Sequence, residues 1–177
     1  MDKKLNRQRW LAAGLETLAG QGPEGLRIMP IALQLGVTKG SFYWHFQNLE
    51  AYQSALLEEW ETLYTQEGIR FLENDNSDAP TKLRTWITGA AYADVKLDRA
   101  IRSWSLNNQA VREVRARVDA DRIACLIKLL RGVGWSKEEA LALGEWTYCA
   151  WVGYATLDRA AATEKQIKLI LTLLTPS

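Results

Sequence analysis

Residues 26–51 read LRIMPIALQLGVTKGSFYWHFQNLEA, and they decide the fold. Ile28, Ile31, Ala32 and Leu35 recur at i, i+3, i+4 and i+7, the spacing of one apolar helix face, and Gly36 follows where a helix end favours glycine. Thr38 stands where an N-cap would open a second short helix. Phe42, Tyr43, Trp44 and Phe46 crowd more aromatic rings into that helix than a solvent-facing turn needs. Two short helices joined through a glycine-containing turn make a helix-turn-helix, whose second helix can lie in the DNA major groove. The stretch predicts a DNA reader.

GVTKGSFYWHF, with the QNLEA that follows, resembles the signature of the TetR (tetracycline repressor-like) transcriptional regulators. Their usual form is Gly-Val-Ser-x-Gly-x-Leu-Tyr-x-His-Phe, two variable residues, then Lys-Glu-x-Leu. The motif lies in the first third of the chain, and the rest agrees with the family in length and helical character. The resemblance implies an all-α fold with an N-terminal three-helix helix-turn-helix DNA-binding head, residues 1–48, and a C-terminal helical ligand-binding and dimerisation body, residues 49–177. It further implies a repressor that leaves a pseudo-palindromic double-stranded operator when a small-molecule inducer binds. Such a protein works as a homodimer, needs no cofactor and is not an enzyme.

Within the recognition segment, Thr38 to Phe46, the residues divide into two kinds. Val37, Phe42 and Phe46 are expected inward, holding the segment on the helices before it. Thr38, Lys39, Ser41, Tyr43, Trp44 and His45 are expected to face DNA: Lys39 towards a phosphate or guanine edge, the Thr38 and Ser41 hydroxyls towards either, Tyr43 towards phosphate. Gly40 leaves room for the backbone to approach DNA. By resemblance His45 is a phosphate contact. Two residues depart from the family pattern. Arg27 replaces the usual Thr or Ser cap, weakening the cap but offering a guanidinium to phosphate, and Leu49 replaces the Lys that clamps a phosphate at the start of helix four. Asn48 is a good N-cap for that helix, and its amide can also meet a phosphate.

The first helix, residues 5–20, carries Leu11, Leu15 and Leu18 on one stripe, with Lys4, Arg7 and Arg9 at its start. Cations there oppose the helix dipole, so Arg7 is better explained as a phosphate contact than as a helix stabiliser. Net charge is only +1 over 177 residues: residues 1–50 hold six basic and four acidic side chains, the remainder sixteen and seventeen. That small asymmetry would not by itself indicate nucleic-acid binding; the motif does.

Helix four is expected from Leu49 to Glu73, long enough to transmit movement from a body to a head, and the polar run Asn74 to Pro80 ends it. Helical segments follow at 81–90, 97–106 and 110–131, then from a Ser136/Glu139 capping box to about Asp158, and finally from Glu164 to Leu174. The last two carry surplus apolar surface. Ala150, Trp151, Gly153, Tyr154, Ile167, Ile170, Leu171 and Leu174 are therefore assigned to a homodimer interface of four-helix-bundle type. Trp86, Tyr92, Trp104, Trp146 and Tyr148 are the candidates either to fill the core or to line an inducer pocket, which the resemblance places in the body; Arg102 and Glu145 are equally placed to orient a ligand there or to pair with side chains such as Asp119 or Arg122.

Several classes of protein are disfavoured by composition. No apolar run of about 18 residues suggests a membrane span and no leader pattern opens the chain, so a cytoplasmic location is expected. Cys125 and Cys149, lacking CxxC spacing or histidine neighbours, are expected to be buried, reduced thiols. With His45 the only histidine, no metal cluster and no phosphate-binding glycine loop, catalysis has little support. The second expectation, prompted by Leu49 and the low charge, is a helical regulatory or partner-binding module whose DNA binding is weakened.

Overall fold

The computed structural model describes residues 3–157 and 162–176. The side chains of residues 3–6, Lys3 and Lys4 among them, and the expected helix end at Asp158 lie outside the described set. Among the described residues all regular structure is helical, as the sequence predicts. The helices are α1 (Lys3–Gln21), α2 (Ile28–Gln34), α3 (Lys39–Tyr43), α4 (Leu49–Glu61), α5 (Glu67–Asn74), α6 (Ala79–Tyr92), α7 (Lys96–Ser105), α8 (Gln109–Gly132), α9 (Lys137–Thr156) and α10 (Glu164–Leu173). A 3₁₀ turn at Pro23–Gly25 leads into α2, and a π-helical turn, Thr62–Gln66, joins α4 to α5. The single helix expected over 49–73 thus contains one wider turn that no periodicity announces.

Packing divides the chain into two compact units: residues 1–66 with 96–116, and residues 67–95 with 117–177. Residues 49–66 and 96–116 accordingly pack in the same unit as the helix-turn-helix. The first unit is built around aromatic rings. Trp10, Phe42, Tyr52 and Trp60 are each at most 1% exposed, with Leu11, Leu18, Leu26, Ile31 and Leu56 around them, and α7 adds Ile101 and Trp104 against α1. The Tyr52 hydroxyl donates to the Trp10 carbonyl at 2.6 Å, and burial pushes its phenol pKa up, so it remains a neutral donor.

Gly14 on α1 is where this unit is tightest. A Cβ there would lie 2.1 Å from Tyr52 Oη and 2.7 Å from Leu56 Cδ2, while Gly20 on the same helix has no neighbour in that direction within 4 Å. Gly14→Ala should therefore destabilise the protein by about 1–3 kcal/mol through overpacking. Gly20→Ala should stabilise it by roughly 0.5–1 kcal/mol through helix propensity. Denaturant midpoints of the two variants should move in opposite directions.

The second unit has its own core, in which Leu72, Leu83, Ile87, Leu126 and Leu130 meet Ile167, Leu171 and Leu174 from α10. The caps are those local sequence dictates. Ser136 and Glu139 form the expected capping box, Thr163 and Gln166 a second, and Asp78 caps α6 by accepting from the Thr81 N–H at 2.9 Å. Trp135 Nε1 donates to the Leu174 carbonyl at 2.8 Å, tying down the end of α10.

Candidate nucleic-acid interface

The turn between α2 and α3 is a Schellman closure. Val37 N–H bonds the Ala32 carbonyl at 3.0 Å and Gly36 N–H the Leu33 carbonyl at 3.1 Å, with Gly36 at φ 66°. That left-handed backbone is why a glycine stands at position 36. Thr38 occupies the N-cap position of α3 with extended backbone, but its side chain makes no cap hydrogen bond; Arg27 likewise caps nothing at α2. Asn48 does cap, its Oδ1 accepting from the Ala51 N–H at 2.8 Å. Its amide oxygen thus already serves α4.

At five residues α3 is shorter than the expected segment, with Trp44 and His45 continuing it as turn and Phe46 following. A helix that short has little stability of its own and must be held by packing. Phe42, with no exposed surface, supplies that packing: its ring sits 5.3 Å from Trp10 and 5.4 Å from Tyr52, both edge to face, and 5.3 Å from Phe46. With Phe42 and Phe46 inward, the opposite side of α3 is left outward. Thr38, Lys39, Gly40, Tyr43 and Trp44 are all exposed, Trp44 at 80%, while Ser41, His45 and Val37 are half-buried. Lys39 Nζ lies 5.9 Å from the centroid of the Tyr43 ring.

Of the flanking cations, Arg27 is exposed. Arg7 is half-buried with its guanidinium 5.3 Å over the Phe46 ring, and Arg9 Nη2 reaches the Leu35 carbonyl at 3.4 Å. Arg7 therefore braces α1 against the end of the recognition segment, a role its sequence position did not reveal. Exposed apolar residues also appear on α2, with Met29 at 59% and Leu33 at 82%, and Leu49 is half-buried at the start of α4.

A model of the bacterial regulatory proteins of the tetR family matches residues 11–51, a span that runs from within α1 across both short helices into α4. The tetracycline repressor protein class C of Escherichia coli is 42% identical over 55 residues, which are 31% of this chain and 25% of that protein. The HTH-type transcriptional regulator TtgW of Pseudomonas putida is 41% identical over 56 residues, 31% of this chain and 42% of that protein. Over its helix-turn-helix head the chain is similar to the tetR family of bacterial regulatory proteins. The matches to these relatives span between a quarter and about two fifths of their length. Over nearly the whole chain the tetR-family fold is recovered structurally. Escherichia coli NemR in its reduced form superposes with a TM-score of 0.78 at 19% identity, covering 97% of this chain and 100% of that one. A TetR/AcrR family regulator superposes at 0.79 and 22% identity, covering 96% of each.

Outside the head, the residues singled out in the sequence fall in both units. Arg102 and Trp104 belong to the first unit, where Trp104 is 9% exposed and Arg102 Nε is 2.7 Å from Asp98 Oδ2 in a mostly buried pair. Arg102 thus pairs with Asp98, one helical turn before it on α7. The other pocket candidates lie in the second unit but on different faces: Trp86 is half-buried against the core, Tyr148 is buried, and Tyr92, Glu145 and Trp146 are exposed.

What the second unit does bring together is a cluster the sequence reading missed. The Tyr148 hydroxyl donates to Asp119 Oδ1 at 2.6 Å, and its ring stacks on Trp151 at 5.8 Å. Arg122, 8% exposed, lies 5.6 Å over the Trp151 ring, and Trp151 Nε1 donates to the Ala90 carbonyl at 2.9 Å. Trp151 is thereby committed to packing within its own unit.

Ile167, Leu171 and Leu174, also assigned to an interface, are at most 9% exposed because their i, i+4, i+7 stripe faces the core. Ile170 on the other side of α10 is 38% exposed, Ala150 on α9 is exposed, and Gly153 and Tyr154 are half-buried. Cys125 is buried, and desolvation pushes its thiol up to about 11, whereas Cys149 is exposed, contrary to expectation, because it sits on the outer side of α9. No helix among the described residues is long and apolar enough to cross a membrane.

Proposed function

We propose that this chain is a DNA-binding transcriptional repressor that acts as a homodimer on a pseudo-palindromic operator and is released by a small-molecule inducer bound in its helical body. One observation carries the reading: α3 is held from behind by the buried rings of Phe42 and Phe46 while Lys39, Tyr43 and Trp44 face outward, the arrangement a recognition helix needs to enter a major groove. Thr38, Gly40 and Ser41 provide close backbone approach and hydroxyl contacts. Arg27, His45 and Asn48 flank the groove as phosphate contacts, and Arg7 supports the segment from α1. Two heads reach two half-sites about one helical turn of DNA apart, which requires the second copy. Inducer binding in the body and operator binding would oppose one another reciprocally.

Selection from a random duplex library, followed by anisotropy titration at increasing salt, tests the reading. A selected palindrome whose affinity falls on the order of a thousandfold between 50 and 200 mM salt is expected for a dimer making about six phosphate contacts. The second reading, a partner-binding helical module with weakened DNA affinity, is favoured by the exposed Met29 and Leu33 and by Leu49 in the position of a phosphate clamp. Weak, salt-insensitive binding to every duplex would decide for it.

A further inference from the structure

We propose that the Tyr43 ring acts as a positioning residue for Lys39, so that the pair, rather than the lysine alone, selects guanine at one base pair of each half-site. The inference rests on the DNA-reading function proposed above. Lys39 and Tyr43 stand four residues apart on α3, on neighbouring turns of one face. The Lys39 ammonium lies 5.9 Å from the centroid of a ring that is itself half exposed. That ring has little freedom, because it meets Phe42 edge to face at 5.3 Å and 89°, and Phe42 is locked among Trp10, Phe46 and Tyr52. A chain of contacts therefore runs from the core of the first unit to a single surface cation.

A lysine on a flexible stem is a point charge that meets any nearby phosphate, with little discrimination among bases. Attraction to an aromatic face restrains it. Fixed in place over α3, an ammonium offers donors only. Guanine presents two acceptors in the major groove, N7 and O6, whereas adenine pairs its N7 with a donor amine. The ring face thus supports sequence preference, and the Tyr43 hydroxyl, at the far end, remains available to a phosphate whatever the sequence.

The two roles separate in a competition experiment. The wild-type protein first selects its operator from random duplexes; matched operators that differ at the single conserved guanine are then titrated against wild type, Lys39→Ala, Tyr43→Phe and Tyr43→Leu, each verified as folded by its thermal melt. Lys39→Ala is expected to lose guanine preference by about tenfold or more. Tyr43→Leu, which removes the ring, is expected to lower it about two- to fivefold. Tyr43→Phe, which keeps the ring, should retain the wild-type preference while binding every sequence more weakly. Should Tyr43→Leu fold poorly, Tyr43→Met serves as a second variant without a ring. A preference unchanged in the ring-free variant, or lost equally in Tyr43→Phe, overturns the inference while leaving the DNA-reading function intact. A wild-type protein that selects no DNA overturns both.

Discussion

Phe42→Ala should cost about 3–5 kcal/mol, the range for truncating a buried phenylalanine, and should abolish operator binding with it. Phe42 has no exposed surface and touches Trp10, Tyr43, Phe46 and Tyr52, so its loss opens a cavity at the meeting point of α1, α3 and α4. Edge-to-face pairs contribute roughly 0.5–1.5 kcal/mol each beyond area burial, and the truncation removes several of them together. Because α3 is five residues long and its N-cap side chain is unused, it depends on packing to stay helical, and Phe42 is the largest part of that packing. Trp44→Ala is the control. At 80% exposure its removal should change stability by no more than about 0.5 kcal/mol, while still weakening operator binding if Trp44 faces the groove. Guanidinium melts and anisotropy on the same preparations distinguish the two residues. A Phe42→Ala protein within about 1 kcal/mol of wild type would contradict the packing account of α3.

The legible part of the molecule is the part where one residue type has one physical use. Gly36 needs a left-handed backbone, Asn48 caps α4, Ser136 and Glu139 cap α9, and the density of rings from Phe42 to Phe46 admits a buried face and an exposed face and little else. Sequence periodicity failed where a helix has two apolar sides. α9 turns Ala140, Gly144, Tyr148 and Ala155 inward, yet carries Trp146, Cys149 and Ala150 outward. Hydrophobicity is the same on both sides, so the residues could be recognised as apolar but not allotted. α10 is ambiguous in the same way, since Ile167, Leu171 and Leu174 form as good a stripe for a core as for a partner. The pairing of Arg102 was readable: Asp98 stands four residues before it, the spacing of an intrahelical ion pair. The Tyr148–Asp119 bond, spanning 29 positions, has no such local signal.

Gly153→Arg should convert the proposed homodimer into a monomer without harming the fold. On α9, Ala142, Trp146, Cys149 and Ala150 are exposed and recur, with Gly153 among them and Leu157 just past the helix end, at intervals of three, four or seven, forming a stripe along one side of the helix. Trp146 is 78% exposed and Leu157 67%, more bare apolar surface than an isolated helix face keeps without a partner. A Cβ on Gly153 would meet nothing within 4 Å, so an arginine fits the single chain and improves helix propensity by several tenths of a kcal/mol. In an interface with two-fold symmetry the same substitution appears on both copies, setting one cation opposite another in a water-poor contact. An uncompensated charge buried there costs several kcal/mol, enough to dissociate a dimer at micromolar concentration. Sedimentation should show the mass halved, with a melting temperature unchanged or raised once the linkage to dimer concentration is removed. Leu171→Ala should behave in the opposite way: at 9% exposure on the core face of α10 it should lower intrinsic stability by about 2–5 kcal/mol. Were Gly153→Arg to remain dimeric while Leu171→Ala dissociated, the partner would lie on the α10 side, and the α9 stripe would need another explanation.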